Sequence, residues 1–474
     1  MTPYVPPAGS IPTLPVPTLE AVGSVHMIGI GGAGMRNLAK LLRADGLAVS
    51  GSDMKDSKGI AELRAAGADV WVGHDAGRIA SPDVVVISSA IAEDNVELRA
   101  ARERGIVVWA RQQALAAIAA GSRSIAVAGT HGKTTTTSMI SVLLERAGLD
   151  PSYLIGGDLN ESGSGARAGR GGLFVFEADE SDGSFLLTRP HIGVITNVDI
   201  DHVDFYPGGR QEIESAFGTF ASSCEHVVAC GDDPGVRSVL DATGVQAVLY
   251  GADPRNDLVV SVNELGPDGA VGSIRDATYA VAPLRLRVDG AHNLLNAAAA
   301  IGAAGLVGVD LANAAAAVAS FAGVHRRFEH RGTARGADFF DDYGHTPAEM
   351  AVTIETARRR RPRRLIALVQ PHRYSRVQAL WRELGASVAG ADLVIVTDVD
   401  GAAQPPIPGV TGKLVADGIA LVSPSTPVVY LPHRTDAIDY LEREVRDGDL
   451  VVTMGCGDVW MLGDAVLERL GSDA

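Results

Sequence analysis

The sequence predicts an α/β protein of three units, and three features predict it. Two glycine-rich turns, at Gly29–Gly34 and Gly129–Gly132, each stand between a short apolar run and a helical stretch. Apolar, β-branched runs then keep alternating with helical patterns to the end of the chain, as βαβ units do. Length and composition agree: 474 residues give room for roughly three domains. An apolar content of 46%, rich in Val, Ala and Gly, suits packed α/β layers.

Charge and cysteine content narrow the class. A net charge of −16 argues against a nucleic-acid surface but allows Lys and Arg to gather at a phosphate pocket. Cys224, Cys230 and Cys456 have neither metal-ligand spacing nor disulfide density, which fits a reducing cytosol. Residues 1–22 hold six prolines and no Lys or Arg, so they read as a mobile tail rather than a secretory signal. No apolar run reaches the length of a membrane helix. The expectation is a cytoplasmic protein without membrane insertion.

The first ordered unit is expected over 23–120. A strand from Val25 enters Gly29-x-Gly31-x-x-Gly34, and a helix follows through Leu38, Leu41 and Leu42. A second strand, 47–50, ends in Gly51-Ser52-Asp53, which puts an acid about twenty positions past the glycines, where a dinucleotide fold holds a ribose. Further βα units at 84–89 and 106–109 bring Ser89 to a strand end. By itself this pattern allows a nicotinamide dehydrogenase, or glycines that serve only helix–strand packing.

The middle unit, 121–324, holds Gly129-Thr-His-Gly-Lys-Thr-Thr135 between a buried strand and a helix. Backbone N–H groups and a helix N-terminus facing an anion, with Lys133 and the Thr134 hydroxyl beside them, make a phosphate cradle. A glycine turn with a solvated lysine is the competing reading. The apolar run 173–176 ends in Glu177-Ala-Asp-Glu-Ser-Asp182, and 192–196 ends in Asn197 to Asp204 with His202 between. Two acidic strand ends and a Lys-Thr cradle in one sheet point to ATP with Mg²⁺. His292, Asn293 and Asn296 open an Ala-rich helix at a spacing that suits hydrogen bonds to a base, or simple capping. The last unit, 325–474, repeats the βαβ pattern. Its basic run 358–364 reads as a helix C-terminus followed by a proline stop.

These motifs together resemble the Mur ligases. The matching strings are Gly-Ile-Gly-Gly-Ala-Gly-Met, Gly-Thr-His-Gly-Lys-Thr-Thr-Thr-Thr, Glu-Ala-Asp-Glu-Ser-Asp-Gly-Ser, Thr-Asn…Asp-His-x-Asp and His-Asn-x-x-Asn. Arg-Arg-Phe-Glu, Asp-Asp-Tyr-Gly-His and Gln-Pro-His-x-Tyr-Ser-Arg follow in order to the last unit. The resemblance implies a Rossmann-like N-terminal domain for a UDP-sugar, a central P-loop ATPase domain and a Rossmann-like C-terminal domain. It is closest to the alanine-adding branch. The later ligases carry a modified lysine about fifteen positions after the motif histidine, where this chain has Phe217.

What the resemblance implies chemically is an ATP-dependent carboxylate–amine ligase. The lactyl carboxylate of UDP-N-acetylmuramate becomes an acyl phosphate, and L-alanine then displaces phosphate. Gly129, Thr130, His131, Gly132, Lys133, Thr134 and Thr135 would hold ATP, with His292, Asn293, Asn296, Arg327 and Asp342. Thr134, Glu177 and His202 would hold Mg²⁺, and Lys133, Glu177 and His202 would be catalytic. Gly31, Gly32, Ala33, Gly34, Ser52, Asp53 and Ser89 would take the UDP-sugar. Tyr343, His345, Arg373 and Arg376 would take the amino acid. The two arginines, three apart after a strand, would share one side of a helical turn as a fork for its carboxylate. Thr346 and Gln404 depart from the family's pattern, and Thr346 would leave a smaller, less basic pocket wall. A sibling that attaches a tripeptide to the same sugar nucleotide, and a nucleotide-binding regulator without turnover, are the other readings. A monomer and a homodimer are both open.

Overall fold

Apolar runs without alternation bury strands on both faces, and they assemble here into mainly parallel sheets with antiparallel pairs at some edges. The structure, a computed structural model, describes residues 10–88, 90–201, 205–402 and 404–471. Among these the first sheet contains β1 (Ser24–Ile28), β2 (Ala48–Asp53), β3 (Asp69–Val72), β4 (Val84–Ile87) and β5 (Val107–Ala110). Its order is β3-β2-β1-β4-β5, all parallel. The expected glycine turn leaves the C-terminal end of β1, and the helix Ala33–Ala44 buries Met35, Leu38, Leu41 and Leu42. Strand β2 runs three residues past the expected end, which places Ser52 inside the sheet instead of on a loop.

The second sheet contains β6 (Arg123–Ala128), β7 (Ser152–Leu154), β8 (Ala166–Arg167), β9 (Leu173–Glu177) and β10 (Ile192–Ile195). It continues through β11 (His226–Cys230), β12 (Val248–Gly251), β13 (Leu258–Gly266), β14 (Gly269–Arg275) and β15 (Val281–Leu286). The order is β15-β14-β13-β12-β11-β10-β6-β9-β7-β8. Strand β6 therefore lies between β9 and β10, parallel to both. The helix Lys133–Arg146 leaves β6 and packs on the helix Ala291–Leu306, whose buried Ala297–Ala300 run lets the backbones approach closely. These two sheets belong to one compact unit.

A second compact unit begins at Gly323 and includes the short pieces Leu265–Gly269 and Val288–Gly290. Its sheet contains β16 (Glu329–Ala334), β17 (Ala337–Asp342), β18 (Arg364–Val369), β19 (Leu393–Val396), β20 (Val428–Tyr430) and β21 (Asp449–Met454). The order is β16-β17-β21-β18-β19-β20, parallel except at the β16–β17 hairpin. The basic run behaves as expected: the helix Pro347–Arg359 ends in it, and Arg358 and Arg364 pair with Asp392 and Asp449, each at 2.7 Å. No helix among the described residues is long and apolar enough to cross a membrane.

Candidate active site

The turn 129–132 has two positions that only glycine can fill. Gly129 has φ +138°, and a Cβ there would lie 2.0 Å from Thr196 Oγ1. Gly132, at φ +82°, caps the helix Lys133–Arg146 and leaves its first N–H groups facing outward. The loop is laced to the end of β10. The Thr130 N–H donates to Asn197 O at 3.2 Å and the His131 N–H to Asn197 Oδ1 at 2.8 Å. Asn197 Nδ2 donates back to His131 O at 2.9 Å.

Lys133 is folded inward and paired, which removes the reading of a solvated lysine. Its Nζ donates to Gly129 O at 2.7 Å and to Glu180 Oε1 at 2.9 Å. Burial works against its charge, but the carboxylates of Glu180, Asp179 and Glu177 outweigh burial and hold its pKa above the ordinary value. Thr134, buried on the first turn, donates to Glu177 Oε2 at 3.2 Å. Glu177 Oε1 in turn accepts the Gly156 N–H at 2.6 Å. Thr135 is half-buried on the same turn.

The acidic strand end thus divides into two kinds of carboxylate. Glu177 and Glu180 bond to Thr134 and Lys133, whereas Asp179 and Asp182 accept the N–H groups of Ser181 and Ser184 in the local turn, with the Asp179 charge also bearing on Lys133. The buried Glu180 is the residue that sequence reasoning passed over. Its signal was its place in the quoted acidic string, three after Glu177. His202 lies outside the described residues.

Asn293 and Asn296 are buried and joined at 3.3 Å, and Thr136 Oγ1 donates to Asn296 Oδ1 at 3.2 Å. Both asparagines therefore flank the helix that starts at Lys133. His292, by contrast, is exposed, so it does not share the burial of Asn293 and Asn296.

In the first sheet, Gly31, Gly32, Ala33 and Gly34 form the turn and the first helical residues after β1. The Gly31 N–H donates to Asp53 Oδ2 at 2.9 Å, so Asp53 closes that turn. Ser52 is fully buried and its hydroxyl is taken up by Glu97 and, at 2.9 Å, by His74 Nδ1. It braces the strand end and does not present a donor to a ligand. Burial opposes the charge of Glu97, yet the His26 ring 3.5 Å away and the hydrogen bonds from Ser52 and the Asp75 N–H bring its pKa down to about 2. Ser89 lies outside the described residues.

In the second unit Asp342 is buried and holds its own loop. It accepts from the Gly344 and Phe328 N–H groups at 2.7 and 2.8 Å and from Thr353 Oγ1 at 2.9 Å. Burial raises its pKa against the pull of Arg327 and those donors. The Arg327 guanidinium lies 5.2 Å over the Tyr343 ring, and Tyr343 meets His345 edge-on at 5.7 Å. The fork expected from Arg373 and Arg376 has a different geometry. Arg373 sits before the helix Tyr374–Val388 at φ +63°, and Arg376 is buried in its first turn. The pair does not share a helical face, because the turn at Arg373 breaks the three-residue spacing. Gln404 braces this helix start, its Nε2 donating to Ser375 Oγ at 3.0 Å. Thr346 is buried and caps the helix Pro347–Arg359 in a box with Glu349, so it is no pocket wall.

Three family models match in the order of the three sheets. The model of the Mur ligase family, catalytic domain, covers residues 24–123. That of the Mur ligase middle domain covers 127–304, and that of the Mur ligase, glutamate ligase domain, covers 326–457. The chain belongs to the Mur ligase family. Its relatives include a UDP-N-acetylmuramate–L-alanine ligase of Nitratidesulfovibrio vulgaris, 43% identical over 446 residues, 93% of this chain and 98% of that protein. One of the same name from Renibacterium salmoninarum is 43% identical over 463 residues, 96% of this chain and 98% of its own length. Among solved structures, the UDP-N-acetylmuramate–alanine ligase of Thermotoga maritima superposes with a TM-score of 0.78 at 26% identity, covering 94% of this chain and 98% of its own. A murein peptide ligase of Psychrobacter arcticus gives 0.70 at 25% identity, covering 95% and 99%. A Mur ligase is an ATP-dependent ligase of peptidoglycan precursor synthesis, and the dehydrogenase reading of the first glycine turn falls away. At the position of the modified lysine, this Mur ligase has Phe217, fully buried against Phe185 with ring centroids 5.3 Å apart.

Proposed function

We propose that this Mur ligase joins L-alanine to the lactyl carboxylate of UDP-N-acetylmuramate, with ATP as the activating substrate. One observation carries the reading of the site: Lys133 and Thr134 open a helix, one against Glu180 and the other against Glu177. A carboxylate does not condense with an amine unaided in water, so it is first phosphorylated, and the amine then displaces phosphate. Lys133 and the turn 129–135 hold the transferring phosphoryl group, largely by positioning and charge neutralisation. Asn293 and Asn296, beside that helix, are assigned to the base. Arg327 is assigned to the nucleotide, with Asp342 holding its loop. Gly31 to Gly34 and Asp53 receive the UDP-sugar, and Tyr343, His345, Arg373 and Arg376 receive L-alanine.

Thr134 and Glu177 suit Mg²⁺. They are hard oxygen donors 3.2 Å apart, and adjacent donors on an octahedral Mg²⁺ lie about 3 Å apart. When bound, the ion neutralises charge on the phosphate oxygens. The second ion that the family resemblance gives to His202 belongs to the same proposal. The three free cysteines fit the cytoplasmic setting we propose. We place domain boundaries near residues 120 and 324.

Phosphate release from ATP with UDP-N-acetylmuramate, measured across the twenty amino acids and an alanine-led tripeptide, tests this function. Release that depends on L-alanine is expected. A preference for the tripeptide would make the protein a recycling ligase, and no release with any acceptor would make it a nucleotide-binding regulator.

A further inference from the structure

Strands β17, β21 and β18 are neighbours in that order, and all three run parallel. Each is followed within three residues by a potential soft ligand: His345 after β17, Cys456 after β21 and His372 after β18. The strand order gathers two imidazoles and a thiol from stretches more than twenty residues apart. One donor atom from each lies within 4.8 Å of the others, and all three side chains are partly buried. The two imidazole rings meet edge to face at 5.7 Å.

The surroundings prepare each group. His345 Nδ1 lies 3.2 Å from Tyr343 O and 3.5 Å from Glu349 Oε2. A ring whose one nitrogen is held by a carbonyl and a carboxylate offers the other as a ligand, as metal-binding histidines do. His372 Nδ1 is buried with no hydrogen-bond partner, a costly state that a metal bond would relieve. The turn carrying Cys456 is fastened by Arg326, which donates to Gly455 O at 2.6 Å and to Gly457 O at 3.0 Å. The charges that act on the cluster are those of Arg373, Arg376 and Asp400 at His372, and of Arg376, Glu349 and Asp400 at Cys456.

We propose that His345, His372 and Cys456 form a Zn²⁺ site, and that the occupied site blocks entry of the amino-acid substrate. Two nitrogens and one thiolate suit Zn²⁺ and leave its fourth position to water. On binding, a Zn–S bond replaces the S–H bond of Cys456, and the thiol proton passes to solvent. The site shares His345 with the proposed L-alanine pocket, so the blocking half rests on that reading. A Mg²⁺-dependent ligase would in this way be stopped by a softer ion at a separate position.

Full-length protein, stripped with chelator, is titrated with Co²⁺ as a spectroscopic probe. A sulfur-to-cobalt charge-transfer band is expected in the wild type and in Cys224→Ser. It should vanish in Cys456→Ser and be displaced by Zn²⁺. His372→Gln serves as a second variant, with Zn²⁺ affinity expected to fall at least tenfold, so that a folding defect in Cys456→Ser leaves the idea open to refutation. No band, or a band that survives Cys456→Ser, overturns the site. In phosphate release at saturating Mg²⁺, Zn²⁺ should raise the apparent KM for L-alanine at least tenfold in the wild type and much less in Cys456→Ser. A Cys456-dependent band with an unchanged KM for L-alanine overturns the blocking role and the pocket placement, and leaves the metal site standing.

Discussion

Glu180 Oε1 lies 2.9 Å from Lys133 Nζ, and both side chains are largely withdrawn from solvent, at 3% and 16% exposure. Lys133 is therefore held by the side chain of a residue whose backbone carbonyl is itself fixed by the Tyr206 hydroxyl at 2.7 Å.

Lys133→Ala should abolish phosphate release, since a cradle lysine supplies transition-state charge worth about 10²–10³ in rate or more. It should also lower stability, because Glu180 loses the cation that faces it; breaking a buried pair costs ~3 kcal/mol. Adding Glu180→Gln should restore much of the melting temperature and none of the activity. A double variant that stays as unstable as the single one would show that the pair is not the source of the loss.

Glu177→Gln keeps the oxygen that accepts the Gly156 N–H but loses the negative charge beside Thr134. Activity should fall and recover in part as Mg²⁺ is raised, with the apo melting temperature little changed. Kinetics that ignore Mg²⁺ concentration, with a large loss of melting temperature, would mark Glu177 as a structural carboxylate.

The Glu97 network sets an acid limit on the first sheet. The carboxyl titrates near 4.5 when unperturbed and at about 2 in the fold. Between these values the unfolded chain binds more protons than the native one, so stability rises with pH across that window. The contribution is complete above 4.5 and is lost as pH falls toward 2. Denaturant unfolding followed down this range should steepen in the wild type and flatten in Glu97→Gln. Parallel curves for the two proteins would refute the assignment.

Thr346 separates a cap from a pocket wall. Thr346→Ala should cost about 1 kcal/mol of stability through the lost cap and leave amino-acid selectivity as it was. Arg376→Lys should instead raise the KM for L-alanine well above any change for ATP, since lysine loses the planar fork. A selectivity shift in Thr346→Ala, or equal KM changes in Arg376→Lys, would contradict these roles.

Much of the chain was legible because the signals were local. A glycine turn before Lys133-Thr134, an apolar strand ahead of it and acids at two later strand ends are all visible within a few residues. The capping box Thr346-Pro-Ala-Glu349 is equally local.

By itself the sequence determined the three βαβ-rich units, the glycine turns, the Lys-Thr helix start and the family they belong to. Periodicity and backbone chemistry act over neighbouring residues, so these follow without a partner from elsewhere. Only the tertiary structure decided that Glu180 hydrogen-bonds Lys133, and that Ser52 turns inward to Glu97. It alone brought His345, His372 and Cys456 to one place. Each of these depends on strand order and on how far a strand runs, which long-range packing sets and no local pattern encodes.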